Sequence, residues 1–177
     1  MSSKILIVVA VVVIVFLIVV ALQPSRFRVE RSLTINASPA TIFPHINDLQ
    51  KAAVWSPWLK MDPAVKIAYS GPASGVGASS SWVGNNKIGE GRQTIIESQP
   101  GELVRIKLEF FKPMAGVSTA DFSLKPADGQ TTVTWSIYGE NNFISKAFCL
   151  FMRQDKMIGT PFEMGLANLK TLVESSK

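Results

Sequence analysis

Glu90 and Arg92 stand two residues apart in Gly89-Glu90-Gly91-Arg92-Gln93, with Ile88, Thr94 and Ile96 beside them. Alternate residues of a strand share a face, so this acid and base project together. Facing a cavity, they would form a buried ion pair able to orient a polar head or carry a proton. Facing solvent, they would be a surface pair of little energetic value. Their apolar neighbours tilt the reading towards the cavity, which makes Glu90 the weak catalytic candidate and both residues ligand-binding candidates. His45 is the only histidine, so no two-histidine metal site can form. A lone general base needs an orienting partner, and beside Pro44 this histidine reads as a surface residue. Cys149 is the only cysteine, which excludes an intrachain disulfide and any cysteine cluster for zinc or iron–sulfur. Asp121 and Glu109 are further carboxylates on expected strands, both read as facing solvent. No metal and no cofactor is expected.

The aromatic residues carry more information. Trp55, Trp58, Trp82 and Trp135, with Phe110, Phe122 and Phe143, could line a pocket, or could simply fill a core. Trp55, Trp58, Trp82, Phe110 and Trp135 therefore join Glu90 and Arg92 as ligand-binding candidates. Gly71 to Gly77 contains spaced glycines, yet strands flank it and no helix follows, so it is no phosphate cradle. It reads as a loop at the mouth of a cavity.

Several elements must position these groups. Residues 26–36 alternate, with Phe27, Val29, Leu33 and Ile35 on one face; Arg31 is the exception on that face. Ser38 then Pro39 make a helix start, and the helix runs to about Asp48, short or kinked because of Pro44. A second short helix spans Lys51 to Trp58 and is ended by Pro57. Six strands follow with short turns between them: 65–69, 78–83, 87–98, 102–111, 116–125 and 131–138. That order predicts an antiparallel meander. From Asn142 to Val173 the apolar residues take helical spacing, interrupted at Gly159-Thr160-Pro161, where Thr160 and Glu163 match a capping box. The spacing predicts one kinked helix, or two abutting ones, with the break near Gly159. Phe148, Phe151 and Met152 on this helix could touch lipid, but sheet packing is the simpler account. A curved antiparallel sheet closed by a long helix is an α+β arrangement with room for a cavity between the two.

Ile5 to Leu22 are eighteen consecutive apolar residues. A helix crossing a bilayer needs about 20, and a cleaved signal has a shorter core of about 7–15 with a small-residue cleavage site. Val19-Val20-Ala21 is a weak cleavage pattern, so the expectation is a retained single-pass anchor touching the bilayer through residues 5–22. Lys4 and the terminal amine lie on one side, Arg26, Arg28 and Arg31 on the other, which leaves the side of the membrane undetermined. The anchor with its Gln23-Pro24-Ser25 hinge occupies residues 1–25, and a single domain occupies 26–177. Beyond Leu22 the chain carries 17 basic and 13 acidic side chains, spread without a basic stripe, so no nucleic-acid partner is expected.

The words VERSLTINASPATIF (29–43), WSPW (55–58), YSGPASGVGASSSWVGN (69–85), GEGRQTIIESQPGELVRIKLEF (89–110) and GENNFISKAFCLFM (139–152) resemble the polyketide cyclase/dehydrase group of the START-related helix-grip superfamily. The resemblance implies a curved seven-stranded antiparallel sheet wrapped on a long C-terminal helix, with two short helices after the first strand. Its implied functions diverge, because fold is not function. One is a membrane-anchored binding module for an apolar or amphipathic small molecule, a lipid included. Another is a cyclase- or dehydratase-type enzyme. A third is a protein-interaction domain whose partner the residues do not name. The absence of a convincing nucleophile–base pair ranks binding above catalysis.

Overall fold

The computed structural model describes residues 2–151 and 154–175. Helix α1 (Ser2–Ala21) comes first, apolar around its whole circumference and, with mean hydropathy 3.4 over its most apolar window, long enough to cross a membrane. Its side chains from Ile5 to Val19 stand exposed, and only Val20 is buried. Strand β1 (Arg26–Ile35) leads into α2 (Pro39–Asn47), α3 (Leu49–Trp55) and the short α4 (Pro57–Met61). Ser38 caps α2, its hydroxyl accepting from the Thr41 N–H, and Asp48 caps α3 through the N–H groups of Gln50 and Lys51. The helix α2 runs through Pro44, and Pro57 opens α4 rather than closing α3, the position where its missing N–H costs nothing.

Six further strands follow: β2 (Lys66–Ser70), β3 (Ser79–Val83), β4 (Glu90–Gln99), β5 (Leu103–Lys112), β6 (Gly116–Ala127) and β7 (Gln130–Glu140). They form one seven-stranded antiparallel sheet in the order β1-β7-β6-β5-β4-β3-β2, as the α+β helix-grip expectation requires. Asp128 and Gly129 both have positive φ (51° and 77°) in the β6–β7 hairpin, which is why Asp-Gly suits this two-residue turn. The sheet ends in α5 (Phe143–Phe151) and α6 (Gln154–Glu174), which packs along β1 and across the concave face.

The sheet's convex face is polar. Ser32 bonds Thr134 (2.7 Å) and Thr34 bonds Thr132 (3.1 Å). Arg105 donates twice to Asp121 (2.8 and 3.0 Å) and once to Glu97, while Tyr138 donates to the same Asp121 carboxylate. Asp121 lies on the outward face as expected, but largely covered by this network, and Glu109 pairs with Lys107 (2.9 Å).

The concave face is held by aromatic rings. Trp135 stacks on Phe162 of α6 (centroids 3.9 Å, planes 9° apart) and on Phe122 of β6 (4.8 Å), while Trp55 meets both Trp135 and Phe122 edge-on at 5.6 and 5.9 Å. Four rings from α3, β6, β7 and α6 thereby form one contact. Gly165 makes it possible, because a Cβ there would lie 2.7 Å from the Trp135 ring and 3.1 Å from Pro57. Ile35, Ile42, Ile46, Ile95, Val104, Val133, Leu166, Leu169 and Val173 fill the remaining core with almost no exposure.

Arg31, the charged residue on the apolar face of β1, has a structural explanation. Its guanidinium lies over Gly159 and donates to Asp155 (2.9 Å) and Glu163 (2.6 Å), tying α6 to β1. Glu163 is thus spent on Arg31, not on capping Thr160, and α6 continues unbroken through Gly159-Thr160-Pro161. Of the two expectations for this stretch, the one of two abutting helices meeting near Gly159 is not met, because α6 is a single helix carrying Pro161 within it. Gly159 serves as clearance for Arg31, since a Cβ would sit 2.1 Å from Nη2.

Two outcomes follow from this packing. Gly165→Ala gains up to about 1 kcal/mol of helix propensity but forces the ring cluster apart, at about 1–3 kcal/mol; urea denaturation should show net loss of stability, and a rise would refute the clearance role. The Arg31 guanidinium holds the Asp155 carboxyl below its ordinary range. A carboxylate depressed in the folded state contributes stability above its unfolded pKa of about 4 and loses it as pH falls through the folded value. The acid side of a stability–pH curve should accordingly flatten in Asp155→Asn relative to the parent.

Candidate functional site

The far half of the concave face is filled by α2 and α6, but the other half is open. There a cavity of about 590 Å³ lies between the sheet, the α3–α4 segment and α6. Trp58 and Leu59 of α4, Trp82 of β3, Leu108 and Phe110 of β5, Ala120 and Phe122 of β6, Trp135 and Ile137 of β7, and Met157 and Ile158 of α6 form its wall. The open end is rimmed by the β3–β4 loop, the β5–β6 turn, the end of β7 and α5.

All five aromatic candidates reach this wall. Trp55 and Trp135 are buried in the ring cluster at its floor, so they serve the core and the cavity together. Trp58 is half-buried and lines the cavity from the α4 side. Trp82 and Phe110 meet edge-to-face at 5.9 Å, with the Trp82 indole N–H donating to the Ile88 carbonyl (3.1 Å). Gly91 gives Trp82 its place: a Cβ there would fall 2.5 Å from the indole and from the Glu109 carbonyl.

Glu90 and Arg92 do not line the cavity, and this corrects the expectation for both. Gly91 is the residue that faces inward, so its neighbours on β4 face outward by strand alternation. Glu90 accepts from Lys112 (2.8 Å), and Arg92 is exposed opposite Glu109. Ile96, whose apolar side chain suggested a buried face, is itself exposed. The Gly71–Gly77 loop is likewise not at the mouth. Gly75 donates to the Asn47 carbonyl (2.9 Å) and Gly77 to that of Ile95 (2.8 Å), at the opposite end of the sheet, beside a smaller cleft of about 270 Å³. His45 sits off the cavity, its carbonyl accepting from the Trp55 indole (2.9 Å); burial and nearby Lys51 push its imidazole towards the neutral form.

The polar contributors are residues that spacing did not single out. Gln93 shares the inward face with Gly91 and donates from its amide to the Ser80 hydroxyl (2.9 Å). That leaves the Gln93 carbonyl and the Ser80 proton as a neutral acceptor and donor in an apolar wall. Ser118 lies on the same lining. The charged lining residues among those described are Lys87, Lys112 and Glu140, all at the rim. Cys149 also borders the rim, its thiol raised by burial and bonded to Gln154. Phe148 is exposed at the rim, whereas the Phe151 side chain and Met152 lie outside the described residues.

Similar solved structures share this architecture at low identity. Norcoclaurine synthase from Thalictrum flavum superposes with a TM-score of 0.65 at 12% identity, over 85% of this chain and 96% of that one. The Aha1 dimer from Colwellia psychrerythraea gives 0.56 at 19%, over 84% and 96%. The di-domain ARO/CYC StfQ from the steffimycin biosynthetic pathway gives 0.61 at 10%, over 86% of this chain and 52% of that one. At such identities the likeness is one of fold. No curated protein matches the chain. A family model does, along residues 26–174, from the first residue of β1 to the last of α6. The chain therefore belongs to the polyketide cyclase / dehydrase and lipid transport family.

Proposed function

We propose that this protein is a membrane-tethered binding module that holds an uncharged apolar or amphipathic small molecule, a lipid among the candidates, between the sheet and α6. The observation that carries the reading is the cavity: about 590 Å³, walled by aromatic and aliphatic side chains, with charge only at its rim. Ligand sites fall at roughly 300–1,000 Å³ and are mostly apolar, with a few polar groups that fix orientation. Ser80 and Gln93 suit that role for a hydroxyl or carbonyl. The family's description, which includes lipid transport, agrees with such a cargo. Catalysis of a cyclase or dehydratase kind asks for an acid or base within hydrogen-bond reach of the substrate. Glu90 stands on the outer face, so the geometry favours holding over turnover.

Residues 1–25 act in this reading as anchor and hinge, and 26–177 as the ligand-binding domain. An apolar helix left uncovered on nearly every side is costly in water and suited to lipid.

Three measurements test these statements. Leu108→Trp fills the cavity from β5; native mass spectrometry of the full chain taken from membranes should show co-purifying lipid in the parent and little in the variant. Equal ligand loading in both would sink the cavity as the site. Gln93→Leu removes one hydrogen bond, worth about 0.5–1.5 kcal/mol. It should weaken decanol binding several-fold while leaving decane unchanged, and parallel losses would point to a packing defect. The combined Val11→Arg, Ile14→Arg and Leu17→Arg variant places three charges in the helix, each costing about 2.5–3.5 kcal/mol on insertion scales against about 0.3–0.6 gained per apolar residue. It should shift the protein from the carbonate-resistant membrane fraction to the soluble one, and unchanged fractionation would argue against the tether.

A further inference from the structure

The rim of the cavity carries exposed apolar side chains among its charged ones. Met114 of the β5–β6 turn, Val117 at the start of β6 and Phe148 of α5 line it, and Phe111 near the end of β5 and Phe143 and Ile144 of α5 belong to the same two segments, with exposures from 38% (Met114) to 67% (Ile144). The two segments are far apart in sequence, yet both border the same opening. Isolated exposed apolar residues are ordinary, but several gathered on two segments at one opening point to a contact surface.

The position of α1 indicates what covers it. The helix packs against α5, Val20 near its end is fully buried, and only Leu22 to Ser25 separate it from β1. The first residues of β1 and the last of β7 pair at this same end of the sheet, so α1, α5 and the cavity mouth are neighbours. No described residue of α5 is buried, although the helix is largely apolar. Such a helix suits an interface, with its apolar face in the acyl boundary. Lys87 at the rim and Lys146 on α5 supply positive charge where anionic headgroups would lie, while Lys112 is matched by Glu90 and Glu140 by Arg26.

We propose that α5 and the β5–β6 turn form a bilayer-docking rim that seats the cavity mouth on the membrane, so that an apolar ligand enters and leaves directly through the lipid surface. The proposal rests on α1 being a membrane helix. It explains why α5 carries exposed phenylalanines beside an opening, an arrangement that open solvent would penalise.

Site-directed fluorescence on the full chain tests it. In a Cys149→Ser background, Ile144→Cys, Met114→Cys, Val76→Cys and Val13→Cys are each labelled with an environment-sensitive dye and reconstituted into phosphatidylcholine vesicles containing some phosphatidylglycerol. Val76 is exposed at the opposite end of the sheet and serves as the control. Lipids carrying a quencher high on the acyl chain should abolish most of the emission at positions 144 and 114 and leave position 76 unchanged. A quencher near the chain end should do the same at position 13. Quenching at 13 with positions 144 and 114 behaving like 76 overturns the docking rim and leaves the anchor intact. Shielding at 144 and 114 that is indifferent to quencher lipids assigns the patch to a second protein copy and also overturns it. Absence of quenching at 13 removes the anchor, and the docking proposal with it.

Discussion

The stacking of Trp135 between Phe162 and Phe122 is the contact on which the remaining architecture depends. An antiparallel sheet with one polar face must bury its other face against something, and here α6 does so together with α2 and α3. Helix α6 can approach because Gly165 offers no side chain to the indole. Trp55 closes the cluster from above, so the same rings fix the distance of α6 and the position of α3. On the edge-strand side Arg31 adds a polar tie, with its charge matched by Asp155 and Glu163. That pair of acids explains how an arginine can sit on the apolar face of β1 without an uncompensated charge.

The cavity follows from the geometry of that clamp. The rings hold α6 at mid-sheet, and the aliphatic core fills the space towards the Ile35 end of β1. Towards the Phe27 end none of the described side chains of α5 is buried. The space between Trp82, Phe110 and Met157 is left open as a result. The same asymmetry sorts polarity: hydroxyl ladders and ion pairs on the convex side, one neutral Ser80–Gln93 pair within, charges confined to the opening.

Much of the fold was legible because its signals are periodic. The alternation in β1, β5 and β7 and the helical spacing of α6 come straight from burial. The site was less legible. Parity on β4 depends on which of two interleaved sets faces inward. Gly91, the residue that decides it, has no side chain to announce its face, while Ile96 announces the wrong one. Gln93 would have been found by asking what lies two residues beyond the position opposite Trp82. The expectation of two helices meeting near Gly159 failed for a related reason: Gly159 and Glu163 both serve Arg31, a contact 132 residues distant in the case of Glu163. Local motif reading has no access to partners at that separation.

The pairing of β1 with β7 has a consequence for how the chain is made. The first strand of the sheet lies beside the last, and α6, the final helix, packs along β1. Contacts so far apart in sequence form late and slowly. During synthesis β1 must wait, with its backbone edge unsatisfied, until about a hundred further residues have emerged. Its short link to α1 keeps that waiting strand beside the apolar helix throughout.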